Sequence, residues 1–363
     1  MTNAVFFFGA GASAPFGIPT MQGMVKEFEK TLQPETKSGE RRLYDEVCEF
    51  LNATLGRPTD LEAVFSVVES IMNWSPDRMG VAALYHATKF ARSRQGFEGI
   101  GVPSPPSSDE VRIASSLEAD FERFVQHSCQ LKEGVSEKID SVYQNFFTQM
   151  SGPASAENGG PDGRHPFGNW PMFTTNYDAI LEHYWLDIVQ VPLNTGFDFN
   201  PVARMEVSNP EALRGGGLRL FKLHGSITWL LDDHWGLTEQ RVPPEEMKTF
   251  TGRKFRGPGM LYPIEEKELY VEPYETMYLM LNRELAQRPR WIAIGYSFGD
   301  RIIRGIFERN SRAETRLVLV HPRADEIATR LPGFRGTIRP VRDRFGESHH
   351  ATVNDAIRKA LLS

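Results

Sequence analysis

The chain has 363 residues and a net charge of -6 at pH 7, with 24% charged and 40% hydrophobic residues. This length suits two domains, or one domain with a large insertion, and the negative balance argues against a general nucleic-acid coat. Its two cysteines, Cys48 and Cys129, form no CxxC pair, so a cysteine zinc site is not expected, and both read as small buried residues in helices.

The first element is Val5-Phe6-Phe7-Phe8, a β-branched and aromatic run suited to a buried strand. It leads into Gly9-Ala10-Gly11-Ala12-Ser13 and then into a helix with Met21, Met24, Val25, Phe28 and Leu32 on one face. No Lys or Arg precedes the apolar run, which enters the glycine turn directly, so it does not read as a signal peptide. No stretch is long enough to span a membrane, and the chain reads as cytoplasmic. Gly9-x-Gly11-x-x-Ala14 fits a loose dinucleotide fingerprint, and a strand, glycine turn and helix start can together form an anion site. The acidic residue expected about 20 positions later would be Glu29, which falls on the polar side of the helix. A plain structural turn is the competing reading.

From Thr20 to Met150 the period is helical. Leu43, Val47, Leu51 and Leu55 recur every four residues, and Thr59-Asp60-Leu61-Glu62 resembles a capping box ahead of Leu61, Val64, Phe65, Val68 and Met72. A second capping box, Ser107 to Glu110, opens a helix carrying Val111, Ala114, Leu117, Phe121 and Phe124, and a further helix buries Ile139, Val142, Phe146 and Met150. Residues 103–108 form a connector, and the Gly/Pro-rich 152–166 stretch reads as an exposed loop. Strand-like runs then alternate with helices. The strands are Pro171–Thr174, Leu218–Leu223, Trp291–Ile294 and Arg316–Val320; the helices are Ala179–Gln190, Tyr274–Gln287 and Arg301–Asn310. That alternation predicts a parallel α/β sheet. Since Val5–Phe8 needs partners, residues 1–34 and 166–363 are expected to form one Rossmann-like nucleotide-binding core, with 35–165 as a helical insertion.

Three polar clusters follow strands: Thr174-Thr175-Asn176-Tyr177-Asp178, Lys222-Leu223-His224-Gly225-Ser226, and Gly295-Tyr296-Ser297-Phe298-Gly299-Asp300. In open α/β sheets the ligand crevice lies at the carboxyl ends of strands, so these clusters and Gly9–Ser13 are expected to converge.

With these motifs in order, the chain resembles the sirtuin-like superfamily. Gly9-Ala10-Gly11-Ala12-Ser13, followed by Gly17-Ile18-Pro19-Thr20, is similar to its nucleotide loop. Thr174–Asp178 is similar to its Thr-Gln-Asn-Ile-Asp motif, His224-Gly225-Ser226 to its catalytic His-Gly segment, and Gly295-Tyr296-Ser297 to its late phosphate-contacting loop. Thr20-Met21-Gln22 stands where protein deacylases carry Asp-Phe-Arg, the four-cysteine zinc module is missing, and His321-Pro322 replaces the usual adenosine-contacting Asn. This variant is similar to sirtuin-like domains of bacterial antiphage defence, especially the type paired with a HerA-type DNA-translocating ATPase. The resemblance implies an NAD+ glycohydrolase with NAD+ as substrate and no zinc. It further implies a homo-oligomer, a HerA-type partner, and nucleic acid met only through that partner.

Cleaving the nicotinamide–ribose bond builds positive charge on the ribose. Asn176 can fix a ribose hydroxyl or a water, and His224 can act as general base. Asp178 can orient Asn176, stabilise the cation, or cap a helix. Amides near Gly9, Gly11 and Ser13 are expected to hold the diphosphate. Ala10, Thr20, Thr175, Gly225, Gly295 and Ser297 complete the expected cofactor contacts. An NAD-dependent protein deacylase and a non-catalytic NAD- or ADP-ribose-binding module are the alternatives. His183, His234 and His321 are read as structural, and His349-His350 as a surface pair near the start of the last helix.

Overall fold

The computed structural model describes residues 4–33, 35–55, 61–74, 85, 105–151, 170–200, 205–215, 217–232, 237–239, 255–260, 272–347 and 350–362. The chain divides into two compact units.

The first unit holds Met1–Thr20, most of Cys129–Ser363, and two sheets. Its central sheet has six strands: β1 (Ala4–Phe8), β2 (Pro171–Thr174), β5 (Arg219–Lys222), β9 (Arg290–Ile294), β10 (Arg316–Val320) and β11 (Thr337–Val341). All neighbouring pairs are parallel, in the order β11-β10-β9-β1-β2-β5. The chain lays β1, β2 and β5 outward in one direction, returns to the other side of β1, and continues through β9, β10 and β11. This is the doubly wound Rossmann order, and its switch point lies between β1 and β9.

Alternation along β1 sends its side chains to opposite faces. Phe6 packs against Phe146, Phe147 and Trp170, with ring centroids 5.9, 6.2 and 4.9 Å away, on a face covered by the Ser136–Ser151 helix. Phe7 faces the other way, against Tyr296 at 4.6 Å and Phe307 at 5.4 Å. The helices Tyr274–Gln287 and Arg301–Asn310 cover that second face through Met277, Leu281, Leu285, Ile303 and Ile306. Each buried Phe contributes about 1.5–3 kcal/mol of transfer free energy, so the Phe6–Phe8 run anchors both helical layers.

The second sheet is antiparallel, in the order β3-β4-β7-β6-β8. It comprises β3 (Phe197–Asn200), β4 (Met205–Ser208), β6 (Gly225–Asp232), β7 (Leu237–Glu239) and β8 (Phe255–Met260). The sequence reading contains neither this sheet nor β11. The expected helix over 179–190 is also different: an α-helical turn, Ile180–Glu182, passes into a π-helix, His183–Ile188.

The second unit gathers the helices between Met21 and Ser128: Met21–Thr31, Ser38–Leu55, Leu61–Met72 and Ser108–Ser128. Phe28 is fully buried at its centre, with the rings of Tyr44, Phe65, Phe121 and Phe124 all 5.4–5.8 Å away. Ser107 Oγ accepts from the Glu110 amide at 3.2 Å, as a capping residue should. The first expected capping box begins at Thr59, outside the described residues.

These units divide the chain at residues 20 and 129, where the sequence reading divides it at 34 and 165. The Met21–Thr31 helix packs into the helical unit through Phe28, whereas the Ser136–Ser151 helix packs on the parallel sheet. Amphipathic periodicity shows that a helix has a buried face, not which core receives it. Cys129 is buried one residue beyond the Ser108–Ser128 helix, and Cys48 is half-buried within its helix.

Candidate active site

At the switch point the loops after β1 and β9 lie in direct contact. The Gly9 amide donates to Ile294 O at 2.9 Å and the Gly11 amide to Gly295 O at 3.0 Å. A Cβ on Gly9 would stand 2.7 Å from Tyr296 Cα, and one on Gly11 2.7 Å from Gly295 Cα. Gly295 has φ +65°, and a Cβ there would stand 2.4 Å from the Ala12 nitrogen. These glycines therefore let two backbones meet. Their amides are bonded within the protein, which corrects the expectation that the Gly9 and Gly11 amides hold a diphosphate.

The loop after β2 closes onto the same place. Thr175 donates its amide to Phe8 O at 3.3 Å. Asn176 Nδ2 donates to Gly9 O at 3.0 Å and to Ser13 Oγ at 2.9 Å. Ser13 also helps to hold the Asp178 carboxyl down. The Asp178 Oδ1 accepts from the Ile180 amide at 3.1 Å, the capping role weighed beside the orienting one. Burial raises the Asp178 pKa, against the opposing pull of Lys222, the Ser13 and Ile180 hydrogen bonds.

Lys222, fully buried at the carboxyl end of β5, lies beneath this loop. Its Nζ donates to the Asp178 carbonyl and, at 2.7 Å, to Glu182 Oε1. The chain then turns through Leu223 and His224 into β6, with the Leu223 amide bonded to Thr174 O and the Ile227 amide to Tyr177 O. His224 is 3% exposed, and its Nε2 lies 3.2 Å from Asp300 Oδ2. Asp300 begins the Arg301–Asn310 helix, where its other oxygen accepts from the Ile302 and Ile303 amides at 2.8 and 3.2 Å.

The site residues therefore form two linked groups. Gly9, Gly11, Ser13, Thr175, Asn176, Asp178 and Gly295 meet around the ends of β1, β2 and β9, and His224 pairs with Asp300. Gly225 has φ +81°, and a Cβ there would lie 2.0 Å from Gly259 O, so close packing against β8 requires a glycine at this position. Ala10 and Ser297 are half-buried, and the Ser297 carbonyl accepts from Arg330 Nη1 at 3.2 Å. Thr20 is exposed and shares no described hydrogen bond with the cluster. Glu29 accepts from Tyr44 OH within the helical unit, away from any strand end. His183 bonds Ser136 and Asp187, both at 2.8 Å, and His321 Nδ1 accepts from the Arg323 amide in a turn after β10. His234 and His349 lie outside the described residues, and His350 opens the last helix.

Asp300 was missed as a partner of His224. An Asp directly before a helix reads as an N-cap, which it also is, and nothing local marks its second oxygen.

Residues 171–333 match the model of the SIR2-like domain family. The matched span includes β2, β5, β9 and β10, and hence Asn176, Asp178, His224, Gly295, Ser297 and Asp300. A solved structure described as a Sir2 enzyme is 13% identical, with a TM-score of 0.40 over 100% of this chain and 94% of that one. A Sir2 homologue–NAD complex is 12% identical, with a TM-score of 0.42 over 99% of this chain and 90% of that one. A mutant Sir2 homologue in complex with ADP-ribose is 13% identical, with a TM-score of 0.37 over 99% and 93%. No curated protein matches the sequence. Among the described residues, no helix is long and apolar enough to cross a membrane, and no group of three or more His, Cys, Asp or Glu could hold a metal.

Proposed function

We propose that the chain hydrolyses the nicotinamide–ribose bond of NAD+, giving nicotinamide, ADP-ribose and a proton with consumption of one water. One observation supports this above the others: Asn176 and His224 come from adjacent parallel strands, β2 and β5, and both loops bond to the strand ends beside the switch point. In this reading the departing nicotinamide leaves a cationic ribose. The Asn176 carbonyl oxygen positions a ribose hydroxyl or the attacking water, since its amide nitrogen is bonded to Gly9 and Ser13. His224 takes the proton from that water or hydroxyl. Asp178 orients Asn176, and its charge favours the cation. Ala10, Thr175 and Ser297 remain the candidates for diphosphate contacts.

The wider reading carries over from the resemblance: a zinc-free antiphage effector that depletes cellular NAD+, assembled as a homo-oligomer and regulated by a HerA-type ATPase partner. Sequence departures from the deacylases favour hydrolysis over acyl transfer, because Thr20-Met21-Gln22 replaces the Asp-Phe-Arg segment.

The test is chromatography of products from NAD+ with the purified chain, alone and with an acylated peptide. Nicotinamide and ADP-ribose without peptide, with turnover reduced at least about 100-fold in His224→Ala and Asn176→Ala, support hydrolysis. An O-acyl product formed only with peptide points to a deacylase. NAD+ binding with no turnover, even with the ATPase and DNA present, points to a sensor.

A further inference from the structure

We propose that Asp300 is the positioning residue for His224: it holds the imidazole proton on Nε2 and leaves Nδ1 as the nitrogen that accepts a proton. The proposal rests on the hydrolase reading for its consequence in turnover, but not for the tautomer itself. Three observations carry it. The Nε2–Oδ2 separation is 3.2 Å, with both side chains under one-tenth exposed. Asp300 Oδ1 is occupied by two helix amides, at 2.8 and 3.2 Å, so the carboxylate cannot turn without uncapping the helix. A carboxylate so held has only acceptor capacity toward Nε2, and a neutral imidazole that donates from Nε2 keeps its lone pair on Nδ1.

The turn that presents Asp300 adds a fourth. Phe298, two residues earlier, has φ +54°, a left-handed conformation that ordinarily favours glycine or asparagine. Its ring is fully buried between Tyr296 at 4.9 Å and Phe307 at 5.0 Å, and this packing holds the turn in place. Capping alone needs no such conformation, since an ordinary loop presents an Asp to a helix. A strained residue held by its surroundings points to a functional constraint nearby.

The helix cap makes the test sharp. In Asp300→Asn the side-chain oxygen stays on the Ile302 and Ile303 amides, because Asn caps helices about as well as Asp. Its NH2 group then faces Nε2 and donates to it, which forces the proton to Nδ1. In Asp300→Ser the cap is kept and the partner is removed. Histidine 15N–1H two-bond NMR spectra, with His224→Gln identifying the signal among nine histidines, read the tautomer directly. The proton should sit on Nε2 in the parent, move to Nδ1 in Asp300→Asn, and divide between the two in Asp300→Ser. kcat for NAD+ should fall on the order of 100-fold in Asp300→Asn, with KM changed less than about twofold. A proton on Nδ1 in the parent, or an unchanged tautomer and kcat in both variants, overturns the proposal. If the parent turns over no NAD+ even with the ATPase and DNA present, but shows the Asp300-dependent Nε2 proton, the pair stands and the hydrolase reading falls.

Discussion

Strand β5 buries a cation at each of its ends, and the two serve different things. At the amino end, Arg219 Nη2 lies 3.0 Å from Glu284 Oε1, and Arg288 Nε binds the other oxygen of that carboxylate at 2.7 Å. Glu284 belongs to the Tyr274–Gln287 helix, so this cluster clamps a helix to the sheet. At the carboxyl end, Lys222 binds Glu182 and the Asp178 carbonyl, the backbone of the candidate site itself. A planar guanidinium joins rigid elements through two oxygens, whereas an ammonium can serve a carboxylate and a carbonyl in different directions. Both pairs stabilise the fold, but only the second also shapes a loop that carries chemistry.

Breaking the carboxyl-end pair should have the largest effect. Lys222→Met leaves Glu182 buried and unpaired, so it should lose about 4 kcal/mol in denaturant unfolding and most NAD+ turnover. Adding Glu182→Gln should restore much of the stability but not the turnover, because the Asp178 carbonyl still lacks its donor. Arg219→Met should cost about 3 kcal/mol, since Glu284 keeps Arg288 as a partner. In the Arg219→Met/Glu284→Leu double variant, turnover per folded molecule should stay within about threefold of the parent at 25 °C. An equal loss of turnover from damage at either end would erase the distinction drawn here.

The third expectation concerns pH. Burial pushes the Glu239 carboxyl from 4.5 up to about 7, with Glu182 adding to the rise and Lys222 opposing it. The folded chain therefore keeps this proton up to about pH 7, whereas the unfolded chain releases it near 4.5. Between those values the folded state binds more protons, so this group's contribution to stability falls as pH rises, by at most about 3 kcal/mol. Glu239→Gln should flatten that part of the profile in thermal melts between pH 5 and 8. At the switch point, Gly295→Ala should cost at least about 2 kcal/mol in thermal melts, because its φ is left-handed and a Cβ 2.4 Å from the Ala12 nitrogen forces the facing backbone to shift.

Much of the parallel sheet was legible because its inner strands are apolar on both faces: Phe6, Met172, Ile292 and Val318 all lie in such runs and all are buried. Strand β11 was not, because Thr337-Ile338-Arg339-Pro340-Val341 is an edge strand, largely exposed and carrying a proline. The antiparallel sheet was hidden for another reason. Its β6 begins at Gly225, inside a segment whose His-Gly-Ser pattern suggested only a loop. In the candidate site, the sequence marked the strand-end clusters but not their pairings. Ser13 was marked as a nucleotide contact, yet its hydroxyl accepts from Asn176 across more than 160 residues of chain. Local spacing cannot show a bond of that range, and the same holds for His224 and Asp300.

The meeting of Gly9 and Gly11 with Gly295 also bears on how such sequences can change over time. The three positions share one volume, filled by backbone from both sides, so a methyl group at any of them must displace the opposite loop. Substitution at one is then tolerated only if the other loop is rebuilt, by a shift in length or turn. Among descendants of this chain the two loops should therefore be inherited as a matched pair, and a hybrid gene joining the first 20 residues of one lineage to the remainder of another should fold poorly wherever their glycine patterns differ.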